Sequence, residues 1–219
     1  MTVQEIIDRA KDDFDQTGDG TFSDTQLLAI FNEGYTDLCR NTEMLDKQSE
    51  VTMSALDGVL TIPSDFLHAR QTRWSYNTQL YAKSHRILDY DQRDWKNEVG
   101  TPEYSVYFNF DQMRLKPINS AAGTVTFRYT YIPADLTVSD SPAIPLVYQE
   151  ALVDFIVAQM FVIVKEYNNA NAYWGNYLKR RARAKRQSRD GQRTPDTLTT
   201  QRPVNVFSYP KWDQGYRTK

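Results

Sequence analysis

The side chains with the clearest capacity to bind a partner form a basic run near the end of the last predicted helix. The run contains six cationic side chains, namely Lys179, Arg180, Arg181, Arg183, Lys185 and Arg186. On a helix these residues cover most of the circumference, so several of them must face solvent or a negatively charged partner. Cations near a helix C-terminus also offset the negative end of the helix dipole, but that role accounts for only about two or three of them. The run therefore predicts electrostatic contact with an acidic protein surface or, without sequence specificity, with DNA phosphates.

A second candidate site is the segment 15–26, which lies between the first two predicted helices and resembles an EF-hand calcium loop. Asp15 and Asp19 match ligand positions of such a loop. Thr17 and Gln26, however, occupy positions where the loop normally carries carboxylates. A glycine-rich turn followed by a capped helix explains the same residues. We therefore predict no metal site and keep a calcium- or nucleic-acid-binding module as the alternative function.

Residues that could carry catalysis are scattered along the chain. His68 and His85 have no partner at helical metal-ligand spacing, and the sequence contains neither a phosphate-cradling loop nor a nucleophile elbow. Adjacent carboxylates such as Asp12 and Asp13 are typical of an exposed helix face. A pair of carboxylates meeting from distant parts of the chain stays open as a glycosidase site. We predict that the protein is not an enzyme and needs no cofactor.

Four long helices are predicted to carry most of the apolar residues. They span residues 2–17, 23–42, 146–167 and 169–188. Thr2 with Glu5, and Ser23 with Gln26, have the spacing of capping boxes at the starts of the first two helices. The third helix is apolar nearly all round, which predicts a central buried position. The fourth becomes increasingly basic towards its end.

Residues 48–133, between the second and third helices, change to a period-two pattern that predicts β-strands. Asp57-Gly58 separates two alternating apolar runs, which predicts a hairpin. Further strands are predicted over 68–75, 80–83, 104–108, 113–117 and 124–132, with a short helix over 88–95. The predicted fold class is α+β: a helical bundle of about four helices with a β-rich insert between helices two and three. Residues 1–193 would form a single domain.

Charge is strongly segregated along the chain, although the net charge is only −2. Residues 1–178 carry 14 basic and 25 acidic side chains, whereas residues 179–193 carry eight basic and one acidic. Residues 194–219 carry four basic and two acidic side chains. A dipolar chain of this kind favours head-to-tail contact with copies of itself, or contact with another polyanion.

The final segment, residues 194–219, has the composition of an extended partner-binding tail. Three prolines, Pro195, Pro203 and Pro210, exclude a continuous helix. The segment nevertheless carries spaced apolar and aromatic side chains: Val204, Val206, Phe207, Tyr209, Trp212 and Tyr216. Such anchors predict strand addition or groove docking on another chain. Folding back onto the protein's own β-strands is the alternative.

Compartment signals in the sequence are few. The single cysteine, Cys39, excludes a disulfide within the chain and is expected to pack in the core. The N-terminus lacks the basic and apolar regions of a signal peptide. The longest apolar stretch, Val153–Val164, contains Asp154 and Gln159 and is too short to span a bilayer. We therefore expect no membrane partner.

Three segments, in this order, resemble the head-to-tail adaptor (connector, or head-completion) proteins of tailed bacteriophages, especially podovirus-like ones. The first is residues 22–38, a helix with a Ser-Asp start and an Asn-x-Gly sequence at Asn32 and Gly34. The second is residues 60–67, where Pro-Ser-Asp-Phe follows a strand. The third is Tyr-Thr-Tyr-Ile-Pro at 129–133, followed by an apolar helix and a basic helix. The similarity spans residues 3–187.

The resemblance implies a structural role in the neck of a virion that is assembled in the host cytoplasm. It implies a ring, commonly of about twelve copies, that lies beneath the portal protein, meets a tail or nozzle protein and extends the DNA channel. It also implies that the C-terminal anchors bind the portal. The six cations would then face the portal, a neighbouring subunit or the packaged DNA.

Overall fold

Helices at both ends of the chain enclose a long β-rich middle. The computed structural model describes residues 1–14, 22–75, 78–91, 95–108 and 111–191. Its helices are α1 (Val3–Asp13), α2 (Asp24–Thr42), α3 (His85–Asp91), α4 (Leu146–Ile163) and α5 (Tyr167–Gly191). Its strands are β1 (Asp46–Met53), β2 (Val59–Thr61), β3 (Phe66–Trp74), β4 (Thr78–Ala82), β5 (Val99–Gly100), β6 (Tyr104–Phe108), β7 (Gln112–Lys116), β8 (Ile118–Asn119) and β9 (Gly123–Tyr131).

The starts of α1 and α2 confirm both predicted capping boxes. The Thr2 hydroxyl accepts a hydrogen bond from the Glu5 backbone N–H, and the Glu5 side chain accepts one from the Thr2 N–H in return. Ser23 and Gln26 make the same reciprocal pair at the start of α2. Each box satisfies N–H groups that a helix start leaves without partners, which fixes where the helix begins.

The predicted central helix is confirmed as α4. It packs against α1, α2 and α5, and buries eleven of its 18 residues. The helix is long and apolar enough to cross a membrane by length and composition alone, but 61% of that span is buried inside the protein. The middle of the helix is therefore covered by the other helices of the same core, which is the position that a helix apolar on all sides is expected to take. The apolar residues at its two ends are exposed: Leu146, Val147, Val162 and Ile163.

A large mixed sheet forms the other half of the protein. Its seven strands follow the order β1-β9-β3-β4-β6-β7-β2 and curl into a nearly closed, barrel-like surface. Strands β5 and β8 form a separate parallel pair. The sheet buries a hydrophobic cluster distinct from that of the helices: Met53, Leu60, Ile62, Trp74, Leu80, Met113, Leu115, Val125, Phe127 and Tyr129.

The predicted fold class, a bundle of about four helices with a β insert, was wrong. The described residues form five helices, and the strands form a sheet with a core of its own. Period-two patterns located most strands within a few residues, but the extent of a sheet depends on pairings between distant segments. Strand β1 pairs along its whole length with β9, about 80 residues later, and no local pattern reveals that contact.

The predicted hairpin around Asp57-Gly58 was also wrong. Strands β1 and β2, on either side of this turn, lie at opposite ends of the strand order, because β1 pairs with β9 and β2 pairs with β7. The connection between them is bound to β8 instead. The Leu56 N–H donates to the Asn119 carbonyl at 2.8 Å, and the Asn119 amide donates to the Ser54 carbonyl at 2.6 Å. These bonds hold the connection against β8.

Two polar contacts join the strands to each other and to the helices. The Asp65 carboxylate accepts hydrogen bonds from the Tyr129 hydroxyl at 3.1 Å and from Lys47 Nζ at 2.9 Å, which ties the start of β3 to β9 and β1. Arg70, on β3, donates to the carbonyl of Glu43 at 3.1 Å and pairs with its carboxylate at 3.0 Å. Because Glu43 ends α2, this pair holds the helical core against the sheet.

Candidate assembly surfaces

The basic helix α5 is one of the elements that cover α4. It runs antiparallel to α4 after a three-residue connection, and it also contacts α2. Ala170, Tyr177 and Ala184 form its buried stripe, because they recur at seven-residue spacing and so lie on one face. This orientation determines which of the six cations point inwards and which face solvent.

Arg181 is an internal structural residue. Its guanidinium donates to the Asp37 carboxylate on α2 at 2.9 Å and lies over the Tyr177 ring. The Tyr177 hydroxyl donates to the same carboxylate, and burial raises the pKa of this tyrosine. The three side chains therefore form a satisfied polar network that fixes α5 on α2.

Arg180 is partly exposed but also pairs with carboxylates of the same chain, on the side of α5 that faces α1 and α4. Its Nε lies 2.8 Å from Asp154 on α4, and its Nη1 lies 3.4 Å from Glu150, which also pairs with Arg9 of α1. Asp154 is nearly fully buried, and this burial raises its pKa to about 6 despite the opposing effect of the arginine. Arg180 therefore offsets a carboxylate that the fold has removed from water.

The remaining cations include one outward-facing group. Lys179, Arg183 and Arg186 are exposed and recur at four- and three-residue spacing, so they form one stripe on the solvent face of α5. We call these three residues the basic stripe. Lys185 is half-buried on the flank of the helix. No carboxylate among the described residues forms an ion pair with the stripe.

Replacement of Arg180 by methionine is expected to destabilise the protein by about 2 kcal/mol, because it leaves the buried Asp154 carboxylate without its cation. The matched replacement Arg183→Met, on the solvent face of the same helix, should change the free energy of unfolding by less than about 0.5 kcal/mol. Urea denaturation of both variants measures the difference. Adding Asp154→Asn to Arg180→Met should recover at least the whole loss, because no buried carboxylate is then left without its cation. Equal effects of the two single arginine replacements would contradict the assignment.

An exposed apolar flank on α5 was missed by the sequence analysis. Tyr167, Trp174 and Leu178 are 59%, 37% and 40% exposed, and they lie along one side of the helix. The signal was available, since spacings of seven and four residues place side chains on a common helical face. Trp174 also contacts Phe155 of α4, with ring centroids 5.3 Å apart, so this flank adjoins the helical core.

Several sequence predictions fall on residues outside the described ranges. They include the six tail anchors Val204, Val206, Phe207, Tyr209, Trp212 and Tyr216, which stay predictions. Residues 15–21 of the calcium-like loop also lie outside, so calcium binding is not tested there. Within the described ranges, no group of three or more His, Cys, Asp or Glu side chains could hold a metal ion. His68 lies on β3, 3.7 Å from Glu43, and His85 begins α3.

The chain thus combines a helical layer, a curled sheet and a basic stripe on one outer helix. The model of the SU10 adaptor protein family matches residues 1–204, and the chain therefore belongs to this family of bacteriophage adaptors. No curated protein matches the sequence. The family match confirms the resemblance to head-to-tail adaptor proteins and makes the chain a structural component of the virion neck.

Proposed function

We propose that this chain is one subunit of a ring that joins the portal to the tail and extends the DNA channel. The partners in this proposal are the portal protein on one side, a tail or nozzle protein on the other, and further copies of the chain, about twelve in all. Packaged DNA would pass through the ring without being read in sequence. The complete ring would form in the host cytoplasm, where virions are assembled.

The observation that carries the proposal is the family match over residues 1–204. A phage adaptor in a ring must contact other components as well as its own copies, and the chain offers two chemically different means of making contacts. The basic stripe on α5 supplies long-range attraction to an acidic surface or to phosphates. The 28 residues that follow Gly191 supply spaced aromatic side chains, which suit docking into grooves of a partner.

The order of these features supports a role for the tail in portal binding. Residues 194–219 follow directly after the most basic part of the chain. Charge attraction can therefore bring the end of α5 near an acidic partner before the tail anchors engage. An extended segment also wraps a large area for few residues, which suits a permanent joint between two rings.

Deletion of residues 194–219 is expected to abolish portal binding while the rest of the chain remains folded. The helical and sheet cores consist of earlier residues, so the circular dichroism spectrum and thermal midpoint of the truncated protein should match those of the full chain. Binding to the purified portal of the same phage should weaken by at least about 30-fold for a double replacement of aromatic anchors, Phe207→Ala with Trp212→Ala.

The matched control is Thr199→Ala with Thr200→Ala, which changes two polar residues of the same tail and should leave portal affinity within about threefold. Electron microscopy of the portal complex counts the adaptor copies. Unchanged portal binding by the truncated protein would rule out the tail as the portal anchor. A complex with single, unconnected adaptor copies would contradict the ring.

A further inference from the structure

An acidic stripe on α1 is the counterpart of the basic stripe on α5. Glu5, Asp8 and Asp12 are exposed and lie on one face of α1, opposite the buried residues of that helix. We call these three residues the acidic stripe. Glu5 and Asp8 accept local hydrogen bonds from the Thr2 backbone and the Gln4 side chain. In the described ranges, the cations on α1 itself pair elsewhere: Arg9 with Glu150, and Lys11 with Asp24.

The two stripes match in charge and in length. Each presents three charges over eight helical positions, which span about 10 Å of helix. The spacing is three then four residues on α1, and four then three on α5. Two helices crossing at their outer faces could therefore bring each carboxylate within reach of one cation. Opposed charges at this spacing provide both attraction and register.

The stripes cannot neutralise each other within one copy. Both α1 and α5 pack on α4, and each turns its buried face towards the core and its stripe towards solvent. The contacts between them pass through Glu150 and through the Tyr173 hydroxyl, which lie on the flanks that face inwards. The complementary surfaces are therefore separate patches on one molecule, which is the requirement for a head-to-tail contact between identical subunits.

We propose that the acidic stripe of one copy binds the basic stripe of the next copy, and that this contact connects neighbouring subunits. The proposal deepens the proposed function and rests on it, because it names the surfaces that close the ring. A second copy explains both stripes at once, whereas DNA would use only the basic stripe and would be repelled by the acidic one. The contact uses two different patches, so repetition produces a ring or an open chain rather than a closed pair.

Charge reversal on the full chain tests the contact. Arg183→Glu with Arg186→Glu, and separately Asp8→Lys with Asp12→Lys, should each weaken self-association by at least about tenfold, because each opposes like charges across the interface. Glu5 is left unchanged because it caps α1. Each variant should remain folded by circular dichroism, since the replaced residues face solvent. Sedimentation velocity at low salt measures the association.

Mixing the two double variants provides the decisive measurement. The first variant is acidic on both stripes and the second is basic on both, so each should bind the other while neither binds itself. The mixture should recover association within about threefold of the wild type. Association of the wild type should also decline as salt rises from about 50 to about 500 mM. The control variant, Arg73→Glu with Arg86→Glu, changes the net charge as the Arg183 and Arg186 reversal does, but on the sheet half of the chain. It should associate as strongly as the wild type.

The outcomes separate this inference from the proposed function. If the wild type forms rings and the reversal variants form them equally well, the proposed contact between the stripes is wrong, whereas the proposed ring is supported. The same holds if both variants are impaired but their mixture does not recover. If the wild type stays monomeric in solution at low salt, the proposed contact between the stripes is overturned. The number of adaptor copies seen on the portal by electron microscopy then tests the ring separately. A gel shift of DNA that the Arg183 and Arg186 reversals abolish, without loss of self-association, would assign the basic stripe to DNA instead.

Discussion

Gly34→Ala should destabilise the protein by about 2 kcal/mol, even though alanine favours a helix by about 1 kcal/mol over glycine. A Cβ at this position on α2 would lie 2.6 Å from Cδ1 and 2.9 Å from Cγ of Phe155 on α4. These atoms lie close to the attachment of the ring, so a small rotation does not remove the clash. Phe155 itself is 3% exposed and contacts the rings of Trp174 and Tyr177 on α5. The added methyl group therefore has to displace packing among three helices.

Gly175→Ala is the matched control for this substitution. Gly175 lies within α5, and a Cβ built there would meet no atom within 4 Å. The substitution should therefore stabilise the protein by up to about 1 kcal/mol through helix propensity alone. Urea denaturation of both variants measures the contrast. Combining Gly34→Ala with Phe155→Leu should cost less than the sum of the two single changes, by about 1 kcal/mol. Additive losses, or a stabilising Gly34→Ala, would show that α2 and α4 can separate without cost.

Asp154→Asn is expected to stabilise the protein at neutral pH by about 2 to 3 kcal/mol. Burial raises the pKa of Asp154 to about 6 in the folded protein, from an ordinary value of 3.8. The folded state therefore binds the proton more tightly than the unfolded chain does. The stability that this group contributes is fully present below pH 3.8 and is lost as the pH rises through about 6. An asparagine stays neutral and avoids that loss, while Arg180 keeps Glu150 as a partner.

The pH dependence distinguishes this effect from a general change in packing. The advantage of Asp154→Asn over the wild type should be largest at about pH 7.5 and should shrink to about 1 kcal/mol or less at about pH 4.5. Chemical denaturation of both proteins at the two pH values gives the free energy of unfolding of each. Subtracting the wild-type value from the variant value at each pH removes the contribution of all groups that titrate alike in both proteins. The exposed replacement Asp12→Asn is the control, and it should change the free energy of unfolding by less than about 0.5 kcal/mol. An advantage that is equal at both pH values would contradict the buried-carboxylate explanation.

The Asn-x-Gly segment of α2, one of the features that resemble phage adaptors, makes two contacts that hold α2 to its neighbours. Asn32 makes a reciprocal pair with the backbone of Leu136: its amide donates to the carbonyl at 3.1 Å, and its oxygen accepts from the N–H at 2.9 Å. This pair holds the connection from the sheet to α4 against α2. Gly34, two residues on, permits the close approach of Phe155. Asn32 therefore anchors the segment that leads to α4, and Gly34 lets α4 pack closely on α2. Both are structural roles.

Local sequence determined the helices and the positions of most strands, because caps, apolar stripes and alternation depend on neighbouring residues. The sequence also determined the charge segregation and the chemistry of the final segment, since both are properties of composition. The starts of α1 and α2 at Thr2 and Ser23 follow from hydrogen bonds that span only three residues.

Only the tertiary structure decided which strands pair and which cations are free to act. The pairing of β1 with β9 depends on contacts between residues far apart in the chain, so the seven-stranded sheet could not be read from alternation. The six cations look equivalent in sequence. The packing of α5 on α4 and α2 turns Arg180 and Arg181 to internal carboxylates and leaves Lys179, Arg183 and Arg186 facing solvent, because a helix has one buried face and its rotation is set by the residues that fill the core.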